Sequence, residues 1–488
     1  MSVTALHDRA VGLEIAGRAT VLCVIGDALL DIDWNGTVDR VCRDAPALVL
    51  DAPDERARPG GAGLAAAPAA GSGAEVVLVT ALSHDADGQR LAVLLERAGV
   101  GIVDLGLDGP TPVKLRLRAG DHSIARVDKG CSPTVPPGPW SAAAKAAIAT
   151  ADALLVSDYG RGVAALPEVA AAVASFPGPT VWDPHRQGPL PPAATTLATP
   201  NHVEAHHISG RPGPPPARLP DVVGLARNVS ARLGCRTVVT AGPLGAVVAD
   251  GASAPTVVPA APVHGDPCGA GDRFAVSAVL GLAAGASVVG AVERAVADAG
   301  AFVAGGNEAG MLGREAVTRA GRDPVVRLRP GGPVTEVMDA ATTAAAVRGA
   351  GGLVVAAGGC FDVLHTGHVR LLEEARQLGD HLVVCLNGDD SVRRLKGSGR
   401  PLNVAEDRAT VLRSMACVDA VIVFDEDTPC EVLRVLRPHL FVKGADYQDV
   451  DLDERQVLAE WGGEVVLLPL VGGRSTTRLL SAAAHAAM

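Results

Sequence analysis

The sequence predicts an α/β protein built from one large and one smaller domain, and three observations carry that expectation. Short apolar runs of strand length alternate with alanine-rich helical segments through the first 305 residues. Twice, at residues 264–274 and 352–375, a glycine turn feeds a helix. Between those two places the pattern loosens, and residues 321–352 carry Pro324, Pro330 and Pro333 ahead of an alanine-rich stretch. A length of 488 residues admits three domains, or one large and one small, at roughly 100–200 residues each. The expected division is residues 1–325, a linker at 326–349 and residues 350–488, with the boundary near residue 340.

In chain order, residues 19–25, 75–79, 153–156, 180–182 and 237–240 read as strands, and 287–305 as a helix. The proline-rich patches at 132–139, 189–192 and 211–220 are expected as surface loops. Residues 352–357 form a continuous apolar run of strand length, 369–375 space their apolar positions helically, and 381–386 read as the next strand. With 48% hydrophobic but only 2% aromatic residues, the cores must be built mainly from Ala, Val and Leu.

A net charge of -11 spread without long runs argues against nucleic acid or an anionic membrane as partner, while leaving room for nucleotides in local basic pockets. The nine cysteines contain no Cys-x-x-Cys pair and read as reduced thiols. The first twenty residues lack a basic segment followed by an apolar core, and the best apolar run, 274–292, is broken by glycines and serines. A cytoplasmic protein is expected.

The most informative stretch is Ala357-Gly358-Gly359-Cys360-Phe361-Asp362-Val363-Leu364-His365-Thr366-Gly367-His368. It turns a buried strand through glycines into a helix headed by two histidines. Backbone N–H groups and the positive end of the macrodipole favour an anion there, and both rings, at i and i+3, reach one face to donate to phosphate oxygens. A zinc pair would need a third ligand, and the His-Glu-x-x-His spacing is absent. Two solvated histidines capping a turn are the plainer alternative. The chain has only five lysines, at 114, 129, 145, 396 and 443. Where arginine is the default cation, a retained lysine hints at a compact, mobile charge for a phosphate in transit, although five residues do not exclude chance.

In the first domain the sharpest signal is His264-Gly265-Asp266-Pro267-Cys268-Gly269-Ala270-Gly271-Asp272-Arg273-Phe274, with a helix expected from near Ala270. The backbone N–H groups of Gly269, Ala270 and Gly271 could converge as an anion hole for a transferred phosphoryl group. Asp272 beside them could take the proton of an attacking hydroxyl. Taken alone, Asp272 is equally an ordinary first-turn aspartate. Gly61-Ala62-Gly63-Leu64-Ala65-Ala66 formally fits the dinucleotide fingerprint, but the charged residues 54–59, ending in Pro59, do not read as the strand it requires. No Gly-Lys dipeptide occurs, which excludes a Walker A loop.

Residues 350–482 resemble the cytidylyltransferase-like nucleotidyltransferases, whose hallmark is the His-x-Gly-His turn after the first strand. Further matches are Asn387-Gly388-Asp389, Arg394-Leu395-Lys396-Gly397, Arg400-Pro401, Glu406-Asp407-Arg408, Val442-Lys443-Gly444-Ala445-Asp446-Tyr447 and Gly473-Arg474-Ser475-Thr476-Thr477-Arg478. Residues 15–320 resemble the ribokinase-like sugar kinases, through Gly26-Asp27-Ala28-Leu29-Leu30-Asp31, Arg58-Pro59-Gly60-Gly61-Ala62-Gly63, Ser157-Asp158-Tyr159-Gly160-Arg161-Gly162, Thr199-Pro200-Asn201-His202-Val203-Glu204 and Thr240-Ala241-Gly242-Pro243-Leu244-Gly245. That order of domains is similar to the bifunctional D-β-D-heptose 7-phosphate kinase / D-β-D-heptose 1-phosphate adenylyltransferases, which Asp39-Arg40-Val41 and Lys114-Leu115-Arg116 also resemble.

The resemblance implies a ribokinase-like α/β domain followed by a Rossmann-like nucleotidyltransferase domain. It implies a kinase site with Asp272 as base, Gly269, Ala270 and Gly271 as anion hole, Asp31, Gly60, Gly61 and Lys114 holding the sugar, and Asn201, Glu204, Thr240, Gly242 and Gly245 on the nucleotide side. The transferase site implied has His365, His368 and Lys396 as catalytic groups and Gly359, Phe361, Asp362, Lys443, Ser475, Thr476, Thr477 and Arg478 around the nucleotide. ATP and Mg2+ follow as substrate and cofactor, sugar phosphates as partners, and a homodimer as assembly; no metal ligand is assigned. Two departures stand out: Leu64 replaces the family's sugar-site asparagine, and Cys268 the threonine before Gly-Ala-Gly-Asp. They leave open a silent kinase-like scaffold on an active adenylyltransferase, while a cytidylyltransferase of another alcohol phosphate, with CTP in place of ATP, is the third reading.

Overall fold

The protein is described by a computed structural model covering residues 14–15, 18–42, 48–119, 122–132, 134–251, 253–305, 337–444 and 453–469. The described residues divide into two compact units, drawn from 1–212, 232–240 and 261–316, and from 213–231, 241–260 and 317–488.

The first unit is organised by a parallel sheet in the order Thr237–Thr240, Leu197–Ala198, Thr180–Asp183, Ala153–Ser157, Val21–Gly26, Glu75–Thr80 and Val100–Asp104. All five strands expected from sequence in this region are present, because a parallel strand covered on both faces reads as an unbroken apolar run. Every residue of Ala153–Ser157 is buried. The helix Ala270–Ala283 packs on this strand, on Thr180–Asp183 and on the helix Ala62–Gly71. Small side chains let these helices approach closely: a Cβ on Gly281 would lie 3.2 Å from that of Ala291, on the neighbouring helix Val288–Ala304.

A second sheet of four strands has the order Leu48–Gly61, Ala28–Val41, Val113–Ala119 and His122–Lys129, mixed in direction. Its residues alternate between faces, so that Leu30, Ile32, Leu115 and Leu117 fall on one and Asp31, Asp33, Lys114 and Arg116 on the other. This corrects the reading of 54–59, because the charged, proline-containing stretch is strand and leads directly into the helix Ala62–Gly71. Charge is tolerated on a two-faced sheet, and Pro59 on an edge strand, where a missing N–H breaks no ladder. The strand runs antiparallel in this separate sheet and does not head a parallel βαβ unit.

In the second unit a parallel sheet has the order Ala420–Phe424, His381–Asn387, Val354–Gly359, Leu440–Gly444 and Glu464–Leu468. The strand carrying the histidine turn is therefore central. Strand order reverses between Val354–Gly359 and Leu440–Gly444, and in open α/β sheets the ligand crevice opens at the carboxyl ends of such a pair. The core gathers Val354, Ala356, Val383, Cys385, Ile422 and Phe441. Of the linker expected at 326–349, residues up to 336 lie outside the described residues; Val337–Gly349 is a helix whose Ala340 and Ala344 are fully buried in this core. Residues 241–260 of this unit include an antiparallel pair, Ala246–Ala249 with Thr256–Val258. Among the described residues, no helix is long and apolar enough to cross a membrane.

Candidate active sites

In the first unit the carboxyl ends of the parallel strands carry Asp27, Asp158 and Asp183, next to the turn that opens the helix Ala270–Ala283. Gly269 occupies the N-cap with φ +89°, a left-handed conformation that glycine adopts without strain. A Cβ there would lie 3.2 Å from Leu64 Cδ2 and 3.4 Å from the Phe302 ring. The departure residue Leu64 thus packs against the anion turn. Of the three donors expected, Ala270 N–H is given to Pro267 O at 3.0 Å, so an arriving anion would meet Gly269 and Gly271.

Asp272 stands in the first helical turn and is buried. Tyr159 Oη donates to its Oδ1 at 2.7 Å. Burial lifts the carboxyl from 3.8 to about 6, the tyrosine bond opposes that, and Asp31 adds to it. Lys114 Nζ lies 5.1 Å from the centre of the Tyr159 ring. Lys114 is also the cross-strand partner of Asp31, and the buried Asp31 accepts from Arg116 Nη1 at 2.9 Å. Gly60 is required by close approach, since a Cβ would lie 2.8 Å from the Asp31 carboxyl. For Gly61, with φ +60°, it would lie 2.2 Å from Asp27 O. The structure therefore brings Asp31, Gly60, Lys114 and Asp272 together, and Tyr159 joins them. Sequence matched the loop containing Tyr159 but could not give it a role, because its partner is 113 residues away.

On the nucleotide side, Asn201 caps the helix His202–Ser209 in a reciprocal capping box with Glu204. Burial lifts Glu204 to about 7, opposed by its bonds to Asn201 and aided by Asp158 and Asp272. Asp183 is pushed well above the usual carboxylate range by burial, then by Glu204, Asp272 and Asp158. Asp158 is lifted to about 6, chiefly by burial, and among the described residues its Oδ2 has no hydrogen-bond partner. Thr240 N–H donates to Pro200 O at 3.1 Å, which ties the end of its strand to the turn before Asn201. Gly242 and Gly245 bound a 3-10 turn in the second compact unit, both with positive φ. Cys268, the other departure, is half-buried beside Arg116, whose Nη2 lies 3.8 Å from Sγ; burial raises this thiol and makes it a poor nucleophile.

In the second unit His365 is the N-cap of the helix Thr366–Gln377, and its Nδ1 accepts from Gly367 N at 3.1 Å. The His365 and His368 rings stack, with centroids 4.0 Å apart and planes 26° from parallel. Phe361, with φ +44°, sets its ring 5.3 Å from that of His368. Burial, then the neighbouring His365, lowers His368 to about 4, so it is neutral near pH 7 and available as a donor rather than a cation. Gly359 ends the central strand, where a Cβ would lie 3.1 Å from the Phe361 ring.

Asp362 is buried and accepts from the N–H groups of Leu402 and Asn403 at 2.7 and 3.2 Å, and it pairs with Arg400 at 2.5 Å. It is thus committed to bracing the 400–403 loop. Lys396 is exposed at the end of the helix Asp389–Lys396. Lys443, on the strand across the switch point, pairs with the buried Glu454 at 2.7 Å. Ser475, Thr476, Thr477 and Arg478 lie outside the described residues. Sequence matched Arg408 but gave it no role. It is buried and donates to four groups: Cys360 O, Asn387 O, Asn403 O and Asp389 Oδ1, at 2.5, 2.8, 2.9 and 2.7 Å.

Two family models match the chain: the pfkB family carbohydrate kinases over residues 19–310 and the cytidylyltransferase-like family over 356–480. A bifunctional protein HldE of Streptomyces coelicolor is 48% identical over 474 residues, 96% of this chain and 97% of its own. The chain belongs to the bifunctional HldE family. Another HldE protein, from Azorhizobium caulinodans, is 37% identical over 95% of this chain and 98% of its own. Among solved structures, the tetrameric inhibited form of phosphofructokinase-2 from Escherichia coli is 19% identical with a TM-score of 0.48, covering 60% of this chain and 96% of that one. Like the families it matches, this chain is a bifunctional enzyme, a sugar kinase joined to a nucleotidyltransferase.

Proposed function

We propose that the first site phosphorylates D-β-D-heptose 7-phosphate at its anomeric hydroxyl and that the second transfers the adenylyl group of ATP to D-β-D-heptose 1-phosphate. One observation carries the reading: a single chain holds a buried aspartate aligned by a tyrosine at one glycine-turn helix terminus, and a stacked histidine pair at another.

In the kinase half, Asp31, Gly60, Gly61 and Lys114 hold the sugar with its anomeric hydroxyl toward Asp272. Tyr159 keeps one carboxylate oxygen occupied, so the other takes the proton. The freed oxygen attacks the γ-phosphorus, the bond to the β,γ-bridging oxygen breaks, and ADP leaves. Gly269 and Gly271 N–H groups meet the charge developing on the transferred group. Asn201, Glu204 and Thr240 serve the nucleotide.

The acidic cluster suits a divalent cation, since Asp158 and Asp272 raise both Asp183 and Glu204, Glu204 raises Asp183 further, and Asp158 Oδ2 has no hydrogen-bond partner among the described residues. Among the described residues no three such groups converge closely enough to hold an ion unaided. Mg2+ would therefore be held largely by the nucleotide, near Asp158 and Glu204, and would supply charge neutralisation across the phosphates.

In the transferase half, an oxygen of the sugar 1-phosphate attacks the α-phosphorus and the bond to the α,β-bridging oxygen breaks. Pyrophosphate leaves, with no covalent enzyme intermediate. His368 donates as a neutral imidazole beside His365, the helix N-terminus faces the phosphates, and Lys396, Lys443 and Ser475 to Arg478 balance their charge. We assign the protein to the cytoplasm, where its nine free thiols fit a reducing compartment.

The test incubates purified protein with Mg-ATP and heptose 7-phosphate, and separately with Mg-ATP or Mg-CTP and heptose 1-phosphate, and follows the products by mass. Bisphosphate in the first and ADP-heptose in the second are expected. ADP-heptose alone would make the kinase half a scaffold or a kinase of another sugar, and CDP-heptose would replace ATP with CTP.

A further inference from the structure

A fully buried guanidinium needs a reason, because burying a charge costs several kcal/mol unless its donors are matched. Arg408 lies on the helix Ala405–Ser414, behind the transferase site, and each of its four partners among the described residues belongs to a segment that rims that site. Cys360 O precedes Phe361 and Asp362 in the turn that leads to His365. Asn387 O ends the neighbouring strand His381–Asn387, and Asp389 opens the helix Asp389–Lys396 that follows it. Asn403 O belongs to the loop after Lys396.

Two of those segments are also joined directly, because Asp362 accepts from Leu402 N and Asn403 N, pairs with Arg400, and offers its own carbonyl to Asn403 Nδ2 at 2.9 Å. Backbone carbonyls of the Cys360 turn, the strand end at Asn387 and the Asn403 loop thus converge on one planar fork, and the carboxylate among the partners, Asp389, stands in the first turn of the helix after that strand. A guanidinium can satisfy several acceptors in fixed directions, which an ammonium cannot. The mismatch between a plain structural role and this arrangement lies in where the bonds go: none serves the interior of the core, and all end at the carboxyl edge of the sheet.

We propose that Arg408 is a positioning residue of the nucleotidyltransferase: it holds the turn carrying Phe361, His365 and His368 in register with the helix start at Asp389 and the loop bearing Asn403, without touching the nucleotide. The route to the histidines is short, since Cys360 is followed by Phe361, whose ring lies against His368, and His368 stacks on His365. This inference rests on the proposed adenylyl transfer, and one readout below is independent of it.

The test is Arg408→Lys in the full chain. Because a displacement of about 1 Å can remove roughly 10²-fold in rate, ADP-heptose formation should lose about 100-fold in kcat, with KM for ATP within about threefold and the kinase rate unchanged. The independent readout is the titration of His368, followed by NMR with labelled histidine and assigned with a His368→Gln spectrum; its midpoint should move up by about one pH unit or more. Unchanged kcat, a rise confined to KM, parallel loss of kinase activity, or an unmoved His368 midpoint would each overturn the proposal. Should Arg408→Lys fail to fold, Asp389→Asn leaves the guanidinium in place but loosens one of its four bonds. It should lower kcat about tenfold, and full activity there would equally overturn the proposal. If the unaltered chain forms no ADP-heptose, the functional reading fails, while the histidine titration still decides whether Arg408 sets the site.

Discussion

Asp272 must be both buried and charged to act as a base, and its surroundings show the conflict. A carboxyl that titrates near 6 in the folded chain and near 3.8 when unfolded binds its proton more tightly when folded. Its contribution to stability is therefore lost as pH rises from about 3.8 to 6, and above that the penalty is on the order of 3 kcal/mol. Asp272→Asn should accordingly raise the denaturation midpoint above pH 6 while lowering kinase turnover by roughly 10²–10⁴-fold. Transferase activity should survive, and loss of both would sink the two-site reading. In the unaltered enzyme, kinase kcat/KM should fall as pH drops through about 6. His368 runs the other way: with a folded value of about 4, lowered from 6.5, the fold favours its neutral form, and the stability this confers is lost as pH falls through that window. His368→Ala should cost about 10²–10³-fold in ADP-heptose formation and leave the kinase intact.

Among the elements, the glycine turn at 269–271 was legible because glycine and a following aspartate carry the chemistry in the local sequence. Gly269 has φ +89°, so Gly269→Ala should cost about 1–2 kcal/mol in backbone strain. A Cβ there would also press on Leu64, and sugar phosphorylation should fall while adenylyl transfer is unaffected, which paired assays on one preparation would read. Leu64→Asn, at the same contact, should raise kcat/KM for heptose 7-phosphate several-fold; an unchanged value would mean that Leu64 marks a different sugar. The buried parallel strands were equally legible as apolar runs. The four-stranded sheet was not, because its charged face at Asp31, Asp33, Lys114 and Arg116 breaks the pattern that announces a strand. Tyr159 and Arg408 escaped a role for a different reason: each is defined by partners distant along the chain, and nothing in its own neighbourhood signals them. The donation of Ala270 N–H to Pro267 O was hidden likewise, since which N–H groups of a turn face outward depends on how the turn closes.

Across the whole molecule, the two sites are built from separate sets of residues with no shared catalytic group. Each single-site variant should therefore leave the other activity within about twofold, because changes without common partners act independently. The homodimer implied by the resemblance is to be read by light scattering on the purified chain.

The low aromatic content has a spectroscopic consequence. Four tryptophans serve the entire protein, and three of them sit in distinct settings. Trp182 is almost fully buried beside Asp183 in the kinase sheet. Trp34 is 39% exposed, with Nε1 donating to Glu55 Oε2 at 2.8 Å across two strands of the four-stranded sheet. Trp461 donates to Pro438 O at 2.9 Å in the second unit. Against so dark a background, each indole reports its own surroundings in emission, and replacing Trp461 by Phe would leave the kinase half visible while the transferase half binds its nucleotide unseen.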